Sequence, residues 1–322
     1  MRPGRADVDQ RGFALVAVLL VLAFVAVIGA EFAYSMRLEA TAARVYKETL
    51  IATHLAEAGL EQAIREIAAD FAFVGVGDDK DPGADAECPI VFYGRSRAPL
   101  KRLPHKQVTL GAGQFSYCIS DEAARINLNF APPDRVSRLL EAIGIEREDR
   151  DIVVASLQDW RDPNDEYRLN GAESEDTYLK RPVPYRAKNA NLDSLAELIQ
   201  IKGITPKVLD GLEGRRGLAA LATVKTPSPG LININTVGRE VLRALGFADA
   251  EFIEIEQSRR QAPLSSVGRF TNRGLTFTSN TFRIEALGLV DGQVRARLTA
   301  IVQRGQGTGG ESVVVVEWSG VR

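Results

Sequence analysis

The densest chemistry in the chain lies at 158–178, which reads QDWRDPNDEYRLNGAESEDTY. Asp159, Asp162, Asp165, Glu166, Glu173, Glu175 and Asp176 fall within 18 residues, and Asn164 and Asn170 add amide oxygens. Pro163 and Gly171 enforce turns, so the acids fold back on one another in a loop. Clustered carboxylates repel unless a cation or an arginine neutralises them. On the residues alone three readings stay open: a solvated acidic loop, a loop neutralised by Arg161, Arg168 and Lys180, or a Ca2+ site. Calcium takes about six to eight oxygen ligands, and a flexible oxygen-rich loop suits it. The spacing is not that of an EF-hand, because Asp-x-Asp-x-Asp-Gly is absent. A glycosidase uses two carboxylates, but seven acids on one short loop suit an ion better than a single acid of raised pKa. No Gly-x-Ser-x-Gly, His-Glu-x-x-His or Gly-x-x-x-x-Gly-Lys-[Ser/Thr] occurs, and His54 and His105 are the only histidines. The expectation is a protein with no catalytic residues and no enzymatic activity.

The chain that must position this loop has 322 residues, 45% apolar and 25% charged, enough for about two domains with a sizeable core. A net charge of −2 argues against a general nucleic-acid binder, and two Cys exclude a multi-Cys zinc scaffold. Residues 13–30 read FALVAVLLVLAFVAVIGA, without a charge or a Pro. That is the short end of the ~20 apolar residues a membrane-spanning helix needs. A secretory signal core is shorter and is followed by a cleavage site, whereas here the apolar run passes unbroken into a helical pattern. No Pro or turn cluster appears until about residue 70, and Leu60, Ile64, Ile67 and Phe71 mark one helical face. One helix of roughly 85 Å is expected over 13–69, apolar all round at first and amphipathic later.

Arg2, Arg5 and Arg11 precede the apolar run, which keeps that end cytoplasmic and sends the bulk of the chain across the membrane, in a bacterium into the periplasm. That oxidising space favours a Cys88–Cys118 bridge over the alternative of two buried free thiols. Closing a loop of about 30 residues contributes about 3–4 kcal/mol in the chain-entropy picture. Residues 72–106 are rich in Gly, Asp and Pro and read as loop with one strand near Ile90–Tyr93. A strand pair or bent strand follows over 108–119, and strands over 282–290 and 293–304 flank Asp291-Gly292, a strong hairpin signal. Val294, Ala296, Leu298, Ala300 and Val302 alternate as one buried face; 305–310 reads as loop and 313–318 as a last strand. Between these β pieces lies a mostly helical stretch carrying a repeated motif. Ile126-Asn127-Leu128-Asn129 and Ile232-Asn233-Ile234-Asn235-Thr236 each precede a helix that their Asn or Thr side chains are placed to cap. Between them, 192–212 reads as helix, Lys202-Gly203-Ile204 turn, helix, with Asp193 or Ser194 as cap and Pro206 in the next first turn. These look like helix-hairpin-helix or SAM-like units. Such units can hold a DNA phosphate on a glycine turn, and Asn-x-Asn-Thr resembles signatures of competence proteins that bind DNA. Here the turn has one glycine, and Arg215 and Arg216 are too few to attract a polyanion.

A basic leader ending in Gly12, then Phe13, then a long apolar helix resembles the type IV pilin-like prepilins. The resemblance implies a peptidase cut between Gly12 and Phe13 and methylation of the new N-terminus. Most relatives carry a glutamate as fifth residue of the mature chain, where this chain has Ala17, and no acid appears before Glu31. A glutamate that pairs with a neighbour's terminal ammonium serves nothing in a subunit with no neighbour above it, and an unpaired buried carboxylate is costly. The neutral Ala17, the helical insert, and the Asp-Trp-x-Asp…Asn-Gly-Ala-Glu pattern at 159–173 together resemble the K-subunit minor pseudopilins of type II secretion systems.

That resemblance implies an α+β fold: a long N-terminal transmembrane helix packed on a small antiparallel sheet, with a large inserted all-α domain containing the helix-hairpin-helix or SAM-like units. The parts are a leader at 1–12, the helix at 13–70, the pseudopilin α+β domain at 71–120 and 279–322, and the insert at 121–278. It implies structural calcium on the acidic loop, with Asp159, Asp162, Asp165, Glu173 and Asp176 as ligands. It implies an inner-membrane, single-pass protein at the tip of a periplasmic pseudopilus, where a bulky insert obstructs nothing. The implied partners are the I and J type minor pseudopilins, the secretion assembly platform and the prepilin peptidase, with no nucleic acid. The rival is a membrane-anchored helix-hairpin-helix DNA-binding protein of a type IV pilus or competence system.

Overall fold

Helix α1 runs without interruption from Gln10 to Ile67 in the computed structural model, which describes residues 10–77, 88–211, 214–307 and 310–320. Most of the leader therefore lies outside the described residues. The N-terminal part of α1 is apolar on every side and exposed throughout, as in Phe13, Leu20, Phe24 and Val27. From residue 52 onward one stripe is buried: Ala52, Leu55, Ala56, Leu60, Ala63 and Ile67, which lie on one face of the helix.

After α1 come β1 (Phe73–Val76) and β2 (Ile90–Tyr93), an antiparallel pair, then β3 (Val108–Leu110) and β4 (Gly113–Asp121). Strand β1 was not legible in the Gly- and Asp-rich stretch around it; its four residues are held by pairing with β2. Cys88 and Cys118 form a disulfide with Cα atoms 5.4 Å apart, tying the segment just before β2 to β4. Beneath it, the Glu66 carboxylate of α1 accepts from Arg102 at 2.8 Å and from the Tyr117 hydroxyl at 2.8 Å.

The chain then leaves the sheet. It forms β5 (Ile126–Asn127), α2 (Pro133–Ala142), α3 (Arg147–Arg161), α4 (Pro206–Asp210), α5 (Leu218–Leu221), β6 (Ala222–Thr223), β7 (Ile232–Asn233), α6 (Arg239–Ala244), α7 (Asp249–Gln261) and β8 (Leu275–Thr276). It returns as β9 (Thr281–Val290), β10 (Gln293–Gly307) and β11 (Gly310–Ser319). The resulting sheet has the order β11-β10-β9-β4-β3, antiparallel throughout, so β4 and β9 are neighbours with residues 122–280 between them. Two hydrophobic cores result, one between α1 and the sheet, the other within 126–275. Gly288 of β9 permits the first: a Cβ there would stand 1.8 Å from the Ala52 carbonyl oxygen, so helix and sheet backbones touch.

Several sequence expectations need correcting. The expected loop at 305–310 is strand almost to its tip, with Gly307 opposite Gly310. Val294 is exposed rather than buried, because the β9–β10 register shifts between Val294 and Ala296 and turns it off the inner face. The stretch 121–278 is not all α. The Ile-Asn steps of the repeat are two-residue parallel strands, β5 with β6 and β7 with β8. The repeat's asparagines do not cap α2 or α6, whose N-caps are Pro132 and Gly238, because three or more residues intervene. Instead Asn127 and Asn233 each accept from the N–H two residues on, at 2.9 and 3.0 Å. Asn129 pairs its amide with both backbone groups of Leu192, and Asn235 pairs its amide with those of Leu264. The segment at 195–200 is a 3-10 helix capped by Ser194 with Glu197 reaching back.

The sheet meets the insert at two adjacent buried acids. Asp121 accepts from the Ala123 N–H at 2.8 Å, Asn233 at 2.9 Å and Ser279 at 2.6 Å, and from Thr236. Glu122, fully buried, is paired with Arg125 at 2.6 Å and Arg283 at 2.8 Å. Burial would raise the Glu122 pKa, but the two guanidinium groups outweigh it and hold the carboxyl below 4.5. An acid with a lowered folded pKa adds stability above its unfolded value and loses it as pH falls through the folded one. Glu122→Gln is therefore expected to destabilise the protein by about 3–5 kcal/mol at neutral pH, by stranding two partly buried cations. In denaturant titrations the gap between wild type and variant should close as pH drops below 4.5; a pH-independent gap would contradict the assignment.

Candidate metal centre

Helix α3 stops at Arg161 because Asp162 precedes Pro163 and takes extended backbone angles. Asp159 lies on the buried face of that last turn, and the chain then loops back to it. The Arg168 and Ala172 backbone N–H groups donate to the Asp159 carboxylate at 3.1 and 2.8 Å. A tight turn brings them there: Asn170 has φ of 68° and the Gly171 N–H donates to the Arg168 carbonyl at 2.8 Å. A Cβ on Gly171 would stand 1.9 Å from Asp159 Oδ2, so no other residue fits between turn and carboxylate.

The Arg168 guanidinium reaches into this cradle and bridges two acids, contacting Asp159 Oδ1 at 2.7 Å and Asp162 Oδ2. Opposite lies Glu173, 2% exposed, with no hydrogen-bond partner on either carboxylate oxygen. Asp162 Oδ1 is likewise buried without a partner. Burial, then the charges of Asp159 and Asp162, pushes the Glu173 pKa up to about 7. Asp176 is committed to its loop, accepting from the Glu173 N–H and the Thr177 hydroxyl, each at 2.9 Å. Asp165 is exposed and accepts from the Asn189 amide at 2.9 Å. Of the five expected ligands, Asp159 and Asp162 share the Arg168 guanidinium, Glu173 is buried near enough to feel both of their charges, and Asp165 and Asp176 are turned to other partners. Among the described residues no group of three or more His, Cys, Asp or Glu is arranged to hold a metal ion. The donor chemistry nevertheless fits a hard cation: three carboxylates, three of their oxygens buried and unbonded, with one guanidinium among them.

Two contributors carry no local sequence signal. Lys202 donates from Nζ to the Gly171 carbonyl at 2.9 Å, and the Tyr178 hydroxyl accepts from the Lys202 N–H at 3.3 Å. Asn189 holds the 164–165 turn. They lie 24 to 31 residues away from what they touch, so only the fold brings them in. Arg161, considered as a neutraliser, points its guanidinium at the Leu128 carbonyl instead. The glycine turn considered for DNA packs on α3, where a Gly203 Cβ would sit 3.0 Å from both Ile152 and Val153. Arg216 is engaged by Glu240 at 2.6 Å. On α1, Ala17 carries no charge, and Glu31 is its first acid.

Residues 121–215 match the family model described as type II secretion system, protein K. A type II secretion system protein K of Escherichia coli is 27% identical over 210 residues, 63% of this chain and 61% of that relative. One from Pectobacterium carotovorum is 37% identical over 73 residues, 22% of either chain, and one from Pseudomonas aeruginosa is 26% identical over 246 residues, 73% of this chain and 68% of the relative. The chain thus spans less than two thirds of the first two relatives' length. A crystal structure of a GspK-GspI-GspJ complex from enterotoxigenic Escherichia coli shares the fold, with a TM-score of 0.56 at 20% identity over 86% of this chain and 97% of that one. Nothing in these likenesses supports a DNA-binding protein.

Gly171→Ala is expected to destabilise the protein by about 1–3 kcal/mol, because the methyl must displace Asp159 or the turn. Thermal unfolding measures this, and a variant as stable as wild type would show that the turn is not locked against the carboxylate.

Proposed function

We infer that this chain, which belongs to the type II secretion system protein K family, acts as a minor pseudopilin that begins and caps a short periplasmic filament during export across the outer membrane. The observation that carries the reading is α1: one continuous helix, apolar and exposed over its first half, neutral at residue 17, whose second half is packed under a globular head. An apolar rod of that kind serves first as an inner-membrane anchor and then as the subunit's contribution to the filament interior. The prepilin peptidase would cut between Gly12 and Phe13, leaving the head in the periplasm. With Ala17 the helix offers no carboxylate to a subunit above, and the insert at 121–278 blocks that position, so the subunit sits at the tip. The solved relative of the same fold was crystallised with GspI and GspJ, which supports I and J type minor pseudopilins as partners here, beside the assembly platform. The 192–212 unit is read as a helix-hairpin-helix-like scaffold for protein contacts rather than for DNA.

The acidic loop is assigned to structural calcium. Asp159, Asp162 and Glu173 would hold the ion, with Asp165 and Asp176 joining through rearrangement of their exposed and loop-bound carboxylates. The ion supplies positive charge that the loop's own residues only partly provide. The partnerless Glu173 carboxylate supports this, since a buried acid with two unbonded oxygens is costly alone and favourable beside a divalent cation.

Two outcomes are expected. Co-expressed with I and J type subunits, the chain should be retrieved in a stable complex and start at a methylated Phe13 by mass spectrometry. Salt-sensitive retention on DNA, or a mature chain starting beyond residue 30, would replace this reading. Calcium at about a hundred times its Kd should add about 2.7 kcal/mol to unfolding stability. Glu173→Gln combined with Asp162→Asn should abolish that increment; an unchanged calcium response would remove the metal assignment.

A further inference from the structure

We propose that Arg168 is a built-in competitor for the cation at the acidic cradle, so that binding requires its guanidinium to swing out and its presence sets the calcium concentration at which the loop responds. The proposal rests on the calcium reading above and adds to it a residue that opposes occupancy.

Three observations carry it. The first is placement. A single nitrogen, Arg168 Nη1, contacts Asp159 at 2.7 Å and also Asp162. Those are two of the three carboxylates gathered at the spot, so the guanidinium occupies the place a shared cation would take. The second is the shortfall it leaves. One positive charge faces three acids, and Glu173, 2% exposed, keeps both oxygens unpartnered, as does one oxygen of Asp162. An arginine satisfies the side of the cradle facing Asp159 and Asp162; a divalent ion satisfies all three acids, and the two cations repel at that distance.

The third observation is that Arg168 is free to leave. Its side chain is 41% exposed, while Asp159 is fully buried. The geometry of the cradle does not depend on the guanidinium, because the backbone N–H groups of Arg168 and Ala172 hold the Asp159 carboxylate whatever the side chain does. The other two cations of the segment play no comparable part: Arg161 is spent on the Leu128 carbonyl, and Lys180 is exposed and forms none of the ion pairs described among these residues.

The test uses the full-length chain in detergent, stripped with a chelator, as wild type, Arg168→Gln and Arg168→Lys. Calcium binding is read by titration calorimetry, and thermal unfolding is followed with chelator and with saturating calcium chloride. Arg168→Gln should bind calcium about tenfold more tightly, a coupling of the size usual between linked sites. It should melt lower than wild type without metal and at the wild-type temperature with calcium, since the guanidinium is absent from the cradle in the loaded state. Arg168→Lys, which keeps the charge but loses the planar reach, should fall between the two. A merely structural arginine would lower both melting temperatures together and leave the affinity unchanged or weaker, which would overturn the proposal while the wild type still binds calcium. If neither wild type nor variant binds calcium, the metal reading fails and the proposal with it. Should Arg168→Gln not fold, Arg168→Lys decides alone: tighter binding than wild type upholds competition, and equal binding ends it.

Discussion

Two adjacent carboxylates, Asp121 and Glu122, are buried where β4 ends, and each is bonded to residues far away in sequence. Asp121 gathers Asn233, Thr236 and Ser279; Glu122 gathers Arg125 and Arg283. Through them the last residue of β4, the second Ile-Asn-x-Asn motif, the residues before β9 and β9 itself are joined at one point. A chain that leaves a sheet after one strand and re-enters it beside that same strand needs both exits held together. Buried acids do this well because leaving any one partner behind strands a charge in a medium that does not solvate it. The sheet register and the placement of the insert both depend on that constraint.

The same physics recurs at the acidic loop with a different outcome. At the junction every buried acid is matched by arginines or hydrogen-bond donors. At the loop the match is incomplete: Arg168 covers Asp159 and Asp162, and both Glu173 oxygens are left without a partner. The junction is saturated with internal partners, whereas the loop, where the ion is proposed to bind, keeps part of its donor set unspent. Gly171 and Lys202 hold the loop backbone around that difference without neutralising it.

The long apolar helix imposes the third constraint. Its exposed apolar half is stable only in lipid or among similar helices, while its second half must lie flush on the sheet. Gly288 in β9 removes the side chain that would hold the helix off, and the Glu66–Arg102–Tyr117 cluster and the disulfide fasten the 88–118 segment against the same stretch of α1. The exposed apolar half and the half packed on the sheet are thus parts of one continuous helix, with no linker between them.

The long helix, the Asp291-Gly292 hairpin and the clustering of acids at 158–178 were legible in the residues, because each rests on local chemistry: apolar runs, turn residues with positive φ, and like charges close in sequence. Strand β1, the exposure of Val294 and the two-residue strands inside the insert were not, since pairing, a register shift and contacts between distant segments decide them. The repeated asparagines show the division most clearly. Their spacing suggested helix caps, yet Asn129 and Asn235 are used to bind the backbones of Leu192 and Leu264, partners no local pattern identifies. In the acidic loop the sequence by itself determined that negative charge would accumulate. Only the tertiary structure decided that Asp159, Asp162 and Glu173 share the buried spot, that Asp165 and Asp176 turn elsewhere, and that Arg168 stands among them, because burial and the direction of a side chain are set by what packs around it.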